Sequence, residues 1–218
     1  MEIIDDIKPT EIYSAPAVGP FDIAKRALER KGYEVISLEQ SAQLRIQQGP
    51  NHNISKNGNW VREGTLYVPG KGKFLTKKSP IMQNPTKATN AHRNREDFYL
   101  TNNQVKSALE DSVLLSASEI PTNRFGEDEV TVFAFGKTAT QYGDFLRQNG
   151  IDSMPIYTAN LQDKPFARQM WFRSLGDGSD LDGDNRYLYY DNRLRGVKFS
   201  AEGTRRKGTR TGNTLGVA

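Results

Sequence analysis

The sequence predicts an α+β protein, and three observations carry that reading. Two segments, "LTNNQVKSALEDSVLL" and "TATQYGDFLRQNG", combine a helix-start pair with helical spacing of apolar residues. Short β-rich or alternating runs surround them, among them "TLYV", "VTVFAF" and "VKF". Finally, "RSLGDGSDLDGDNRYLYYDNRLRG" at 173–196 follows neither period and is crowded with Gly, Asn and Asp.

Taken in order, "PFDIAKRALERKG" reads as a first helix. Pro20 begins it, Phe21, Ala24 and Leu28 share one face, and Gly32 ends it. "YEVISL" follows as a strand. Residues 49–59 are turn-rich, and "TLYVPGKGKFLTKK" reads as strand, Pro-Gly turn, strand. Residues 83–95 read as a polar loop. In the next helix Thr101 and Gln104 form a capping box, Leu100 and Val105 a hydrophobic staple, and Val105, Ala108, Leu109 and Ser112 the buried stripe. "VTVFAF" alternates as a strand, and the following helix pairs Thr138 with Gln141 at its start and has Gly150 just past its end. "SMPIYTA", "RQMWFRSL" and "RLRGVKF" complete the chain as extended segments.

Composition narrows the functional classes. With 218 residues, 36% hydrophobic and 26% charged, the chain is read as one domain, 1–218, with an N-terminal extension over 1–60 and a basic flexible tail over 203–218. No apolar run reaches membrane-spanning length and the N-terminus has no secretion-signal pattern. The expectation is therefore no membrane insertion, and a protein that is cytoplasmic, virion-associated or unconventionally exported. Zero Cys removes disulfides and thiolate chemistry, and two His, His52 and His92, argue against a histidine-rich zinc site. The net charge of +4 is unevenly spread: nine Lys or Arg lie between Ile54 and Arg95 against Glu63 alone. A nucleic-acid-binding or processing protein that uses this 56–95 region, with Lys71, Lys73, Lys77 and Lys78 at its centre, is the alternative reading.

Three chemical motifs fail on spacing. Gly136-Lys137-Thr138 lacks the glycine five residues earlier that a phosphate loop needs; that place is Thr131. Asp180, Asp182, Asp184 and Asp191 fall at positions 1, 3, 5 and 12 of an EF-hand-like register, but Asn185 replaces its Gly and Asp191 its long bidentate Glu. Glu127, Asp128 and Glu129 are consecutive, so on a strand they would not share a face. No metal, cofactor or catalytic set is expected, and Trp171 and Phe172 are read as core aromatics.

The order of elements, with Val130, Val132, Ala139, Tyr142 and Phe145 on matching places of the second-helix motif, and Ala134 and Phe135 standing where it has Ser and Trp, resembles the C-type lectin fold in its formylglycine-generating-enzyme-like branch. That resemblance implies two helices packed on small antiparallel sheets, a long irregular C-terminal variable region, and a final "RGVKF" strand returning beside the first. The C-terminal segment resembles the variable proteins of diversity-generating retroelements, in archaeal and viral members of the group. There, adenine-specific mutagenesis of AAC and AAT codons yields many residue types but never Lys, Glu, Gln, Met or Trp. Those five types are absent from 173–196. The oxidase chemistry of the wider branch needs cysteines, and the Ca²⁺-dependent sugar site of lectins needs Glu-Pro-Asn or Gln-Pro-Asp; both are missing.

The resemblance divides the segment into two interleaved sets. Trp171, Phe172, Leu175, Ser179, Leu181, Gly183, Leu188, Arg193, Arg195, Gly196 and Val197 correspond to scaffold. The variable region, about 173–192, offers ligand-binding positions at Arg173, Ser174, Asp177, Asp180, Asp182, Asp184, Asn185, Arg186, Tyr187, Tyr189, Tyr190, Asp191 and Asn192, with Gly176 and Gly178 between them. The expectation is a non-enzymatic recognition protein whose partner is a protein or glycan on a cell or host surface. Spaced leucines bury, their neighbours face solvent, and tyrosines supply stiff contact area.

Overall fold

Alternating side chains on β-strands let one sheet feed two cores, and this sheet does so. The computed structural model describes residues 12–185 and 187–199, so Arg186 and the 203–218 tail lie outside the described residues. The chain opens with β1 (Ile12–Gly19), α1 (Phe21–Arg30), β2 (Glu34–Val35), α2 (Leu38–Gln48) and α3 (Asn53–Lys56). The hairpin β3 (Asn59–Val68) and β4 (Gly72–Thr76) follows, then α4 (Pro80–Gln83), α5 (Pro85–Arg93), β5 (Phe98–Tyr99) and α6 (Asn102–Leu109). Next come β6 (Ser112–Leu114), β7 (Glu119–Pro121), α7 (Glu129–Phe135) and α8 (Ala139–Gln148). β8 (Ser153–Tyr157), β9 (Phe166–Phe172), β10 (Leu181–Asp182) and β11 (Asn192–Phe199) close it.

The main sheet runs β1-β11-β3-β9-β10-β8-β7. β11 returns antiparallel to β1 along its whole length, from Ile12 opposite Phe199 to Gly19 opposite Asn192, as the expected closing strand should. Residues 12–60 thus supply an edge of the sheet and the helices α1, α2 and α3. On β3, Trp60, Leu66 and Val68 join one apolar cluster with Phe21, Ala24, Leu28, Ala88 and Val105 from α1, α5 and α6. Val61, one residue out of step, joins the other with Leu44, Ala134, Tyr142 and Leu146 from α2, α7 and α8. Helices therefore cover both faces of one large mixed sheet.

Several elements differ from the sequence reading. "VTVFAF" is helix α7, not a strand: Asp128 accepts hydrogen bonds from the N–H groups of Val130 and Thr131 at 3.0 Å, and Gly136 at φ 53° ends it. Val130, Thr131, Ala134 and Phe135 are its buried face, so a helical period was hidden beneath β-branched and aromatic composition. "YEVISL" is a strand only at Glu34 and Val35, and α2 begins at Leu38 with Ser37 and Gln40 as a capping box. The loop expected at 83–95 contains α5, started by Pro85 and buried through Ala88, Thr89 and His92. Ser112 belongs to β6, not to the preceding helix, which keeps its Thr101–Gln104 capping box. Thr138 does not cap α8 with its side chain. A short 3-10 turn leads into the helix, and the Thr138 hydroxyl accepts from Gln43 Nε2 at 3.2 Å.

Candidate functional site

The segment between β9 and β11 is held mostly by its backbone. The Arg45 guanidinium donates to the carbonyl of Arg173 at 2.7 Å, and the Tyr67 hydroxyl to that of Gly183 at 2.8 Å. Arg168 donates to the carbonyl of Asp184 at 2.5 Å, and the backbone N–H of Phe21 to that of Leu188 at 2.8 Å. All four donors lie outside the segment, and every residue type offers them the same carbonyl. Burial pushes the Tyr67 hydroxyl well above its ordinary range, so it stays protonated and able to donate.

Arg45 is the centre of this arrangement. It is fully buried, its guanidinium stacks 3.8 Å above the Phe172 ring, and it also donates to Ile54 O, Tyr142 Oη and Ser179 Oγ. Ser179 sits at φ 59°, a conformation unusual for a residue with a side chain, and its hydroxyl also hydrogen-bonds Tyr142. Leu181 is fully buried in the cluster with α2, α7 and α8, and Leu175 is partly buried against it, while Leu188 and Leu194 are fully buried in the other cluster. A Cβ at Gly183 would collide with Thr65, and one at Gly196 would lie 2.7 Å from Tyr33 Cβ; both positions need the close approach that glycine permits.

The side chains between the leucines divide into two groups. Ser174, Asp180 and Asp182 are buried, contrary to the expectation that all such positions face solvent. The reason is an internal polar cluster: Arg173 Nε lies 3.2 Å from Asp180 Oδ1, and Nη2 donates to Asp182 Oδ2 at 2.9 Å. Ser174 donates to Asp177 at 2.6 Å around a short 3-10 turn. Burial pushes the Asp180 carboxyl up to about 7, against the pull of Arg173.

Tyr187, Tyr190 and Asp191 are exposed, as is Asp184, which pairs with the buried Arg168. The three tyrosines touch through their rings, with Tyr187–Tyr190 centroids 5.3 Å apart and Tyr189–Tyr190 centroids 4.4 Å apart. Asn185 accepts from the Tyr187 N–H and Asn192 donates to the Tyr187 carbonyl, which shapes the turn that presents them. Two open hollows share Tyr187. One, of about 450 Å³, is lined by Trp171, Arg173, Asp182, Asn185, Tyr187, Tyr190 and Asn192. The other, of about 370 Å³, is lined by His92, Arg95, Asp184, Tyr187 and Tyr189.

Phe172 is a fully buried core aromatic, whereas Trp171 packs edge-on against Trp60 at 4.9 Å and keeps part of its ring in the first hollow. The sequence reading missed Arg45, Tyr67, Arg95, Tyr157 and Arg168. The exposed Tyr157 ring lies beneath the Arg173 guanidinium at 5.5 Å and extends the surface. Nothing local marks Arg45, which lies 128 residues from the carbonyl it holds.

The other motifs resolve locally. The backbone N–H of Lys137 faces the Glu39 carboxylate at 3.2 Å, where a phosphate loop would need an anion of the ligand. Among the described residues no three His, Cys, Asp or Glu side chains converge as metal donors. No helix of the described residues is long and apolar enough to cross a membrane. Of the basic-region lysines, Lys78 pairs with Glu110 at 2.9 Å, Lys77 lies over Phe133, and Lys73 donates to Thr158. Lys71 lines a separate hollow with Lys106 and Val105.

No protein-family model and no curated protein matches the sequence. Among solved structures, the chain is similar to a protein from Nanoarchaeota whose structure is described as the accommodation of massive sequence variation by the C-type lectin fold. The two share 14% identity with a TM-score of 0.65, over 89% of this chain and 100% of that one. At that identity the likeness speaks for architecture alone, and the architecture is that of a C-type lectin fold.

Proposed function

We propose that this is a non-enzymatic recognition protein of the retroelement-diversified type, with 173–192 as its variable binding surface and a protein or glycan on a cell or host surface as its target. The observation that carries the reading is the grip on the carbonyls of residues 173, 183, 184 and 188 by Arg45, Tyr67, Arg168 and Phe21. A surface whose side chains change must be positioned by groups that do not, and backbone carbonyls meet that demand. The exposed tyrosine cluster supplies rigid amphipathic contact area beside small polar residues, the division of labour found in antibody paratopes. The absence of Lys, Glu, Gln, Met and Trp from 173–196 adds a second, independent support. So does the sequence variation ascribed to the similar Nanoarchaeota protein.

The test is a panel of full-length proteins differing only at Asn185, Tyr187, Tyr189, Tyr190 and Asp191. They are expected to melt within about 2 °C of one another, since exposed changes cost about half a kcal/mol, while selecting different targets. A panel that binds one common ligand with equal affinity would remove the reading. The DNA flanking the gene provides the matching genetic test: an imperfect copy of codons 168–200 differing almost wholly at adenines, beside a reverse transcriptase gene.

A further inference from the structure

The second hollow joins two parts of the chain with different histories under that reading. Tyr187, Tyr189 and Asp184 come from the variable segment, and His92 and Arg95 from the end of α5. We infer that Arg95 is a fixed carboxylate-binding subsite at the margin of the variable surface, biasing all variants toward an acidic side chain of a protein partner. The inference rests on the recognition function proposed above and names what every variant would share.

Backbone geometry gives the first argument. α5 ends at Arg93, Asn94 caps it, and the Arg95 N–H donates to His92 O at 3.0 Å. Arg95 has φ 64°, in the left-handed region where the residue after a helix cap is usually glycine. A long side chain there costs stability, and such costs persist where a side chain is wanted at that point.

Charge gives the second. Asp184, the acid in the same hollow, is already engaged by Arg168, which also holds Asp97 at 3.0 Å. Arg95 is exposed and has no ion-pair partner among the described residues. Its charge is nevertheless felt at the surface: the Tyr189 hydroxyl is held above its ordinary value by its hydrogen bond to Tyr190, and Arg95 pulls it the other way. A carboxylate entering the hollow would meet a planar guanidinium fork beside phenol donors, the arrangement that binds such a group best. The neighbouring tyrosines favour a protein surface as the carrier of that carboxylate.

The experiment selects peptides from a random displayed library with three full-length proteins: native, Arg95→Gly and Arg95→Glu. Native protein is expected to enrich Asp and Glu about two- to fivefold over the input library, the range of an exposed ion pair. Arg95→Gly should lose that enrichment while melting at the same temperature or about 2 °C higher, because glycine relieves the left-handed backbone. Arg95→Glu should shift the enrichment to Lys and Arg. Unchanged acidic enrichment with Arg95→Gly would overturn the inference, as would enrichment confined to uronic-acid glycans on a parallel array. Peptides whose capture needs Tyr187 and Tyr190 but not Arg95 would sink this inference and leave the recognition function standing. Capture of no peptide or glycan by any version would remove both.

Discussion

The 173–192 segment has two halves of opposite architecture: 173–183 holds its Gly and Ser, 184–192 its Tyr and Asn, and Asp occurs in both. In 173–183, Asp180 and Asp182 are buried beside a half-exposed Arg173 whose guanidinium pairs with both, and Ser174 closes on Asp177. In 184–192, Tyr187, Tyr190 and Asp191 point outward, and the tyrosine rings pack against one another at tilted angles. Both halves are fastened by carbonyls, so the difference lies in the side chains alone. A residue type does not decide whether a position is structural or displayed; the direction in which the anchored backbone aims it does. Substitutions should accordingly be costly in the first half and cheap in the second.

Removing the anchor of the first half should have the largest effect. Arg45→Ala takes the Arg45 donor from Ile54 O and Arg173 O, and leaves the Ser179 and Tyr142 hydroxyls with only each other, in a buried site. The expected loss is about 3 kcal/mol, or a fall of about 10 °C in Tm by calorimetry. A fall under about 2 °C would mean that the first half is not held from below.

A smaller effect should separate the halves by pH. Burial raises the Asp180 carboxyl from 3.8 to about 7, and burial likewise raises Glu63, whose carboxylate accepts from the Leu38 N–H, from 4.5 to about 7. An acid whose folded pKa is raised favours the fold while protonated. That contribution is complete below the ordinary pKa and is lost as pH rises through the folded one. Native protein should therefore lose stability between about pH 4 and about pH 7. Asp180→Asn and Glu63→Gln should each flatten part of that slope, read as Tm against pH. A change at Asp191, exposed in the second half, should leave it untouched.

The smallest effect is expected at the tyrosines. Tyr187→Ser and Tyr190→Ser should each shift stability by about half a kcal/mol or less while altering binding, measured as Tm and target affinity on the same preparations. A loss above about 2 kcal/mol would make the second half structural as well and erase the distinction.

Sequence patterning reached the elements whose signals are local. Thr101 and Gln104 cap α6 as their spacing predicts, Pro20 and the Phe21–Ala24–Leu28 stripe define α1, and "VPGKG" turns β3 into β4. It failed where tertiary partners decide. α2 places Arg45 on its buried face, which breaks the apolar period that would have revealed the helix. α7 uses Val, Thr and Phe, residues that favour strands in isolation, and is fixed as a helix by Asp128 and Gly136 at its ends. At the surface, the buried leucines at 181 and 188 followed from their spacing, but the inward turn of Asp180 and Asp182 did not. Their partner Arg173 reaches them only after the chain has doubled back between β9 and β10.

The four gripped carbonyls also set a grammar for change. They stand at residues 173, 183, 184 and 188, and each meets a donor fixed elsewhere in the protein. Replacing a letter between them leaves every carbonyl in place. Adding or deleting one residue would move each later carbonyl off its donor and carry the leucines out of the core with them. The exposed positions are thus open to rewriting while the segment as a whole is closed to editing of its length, so any process that varies it must copy residue for residue.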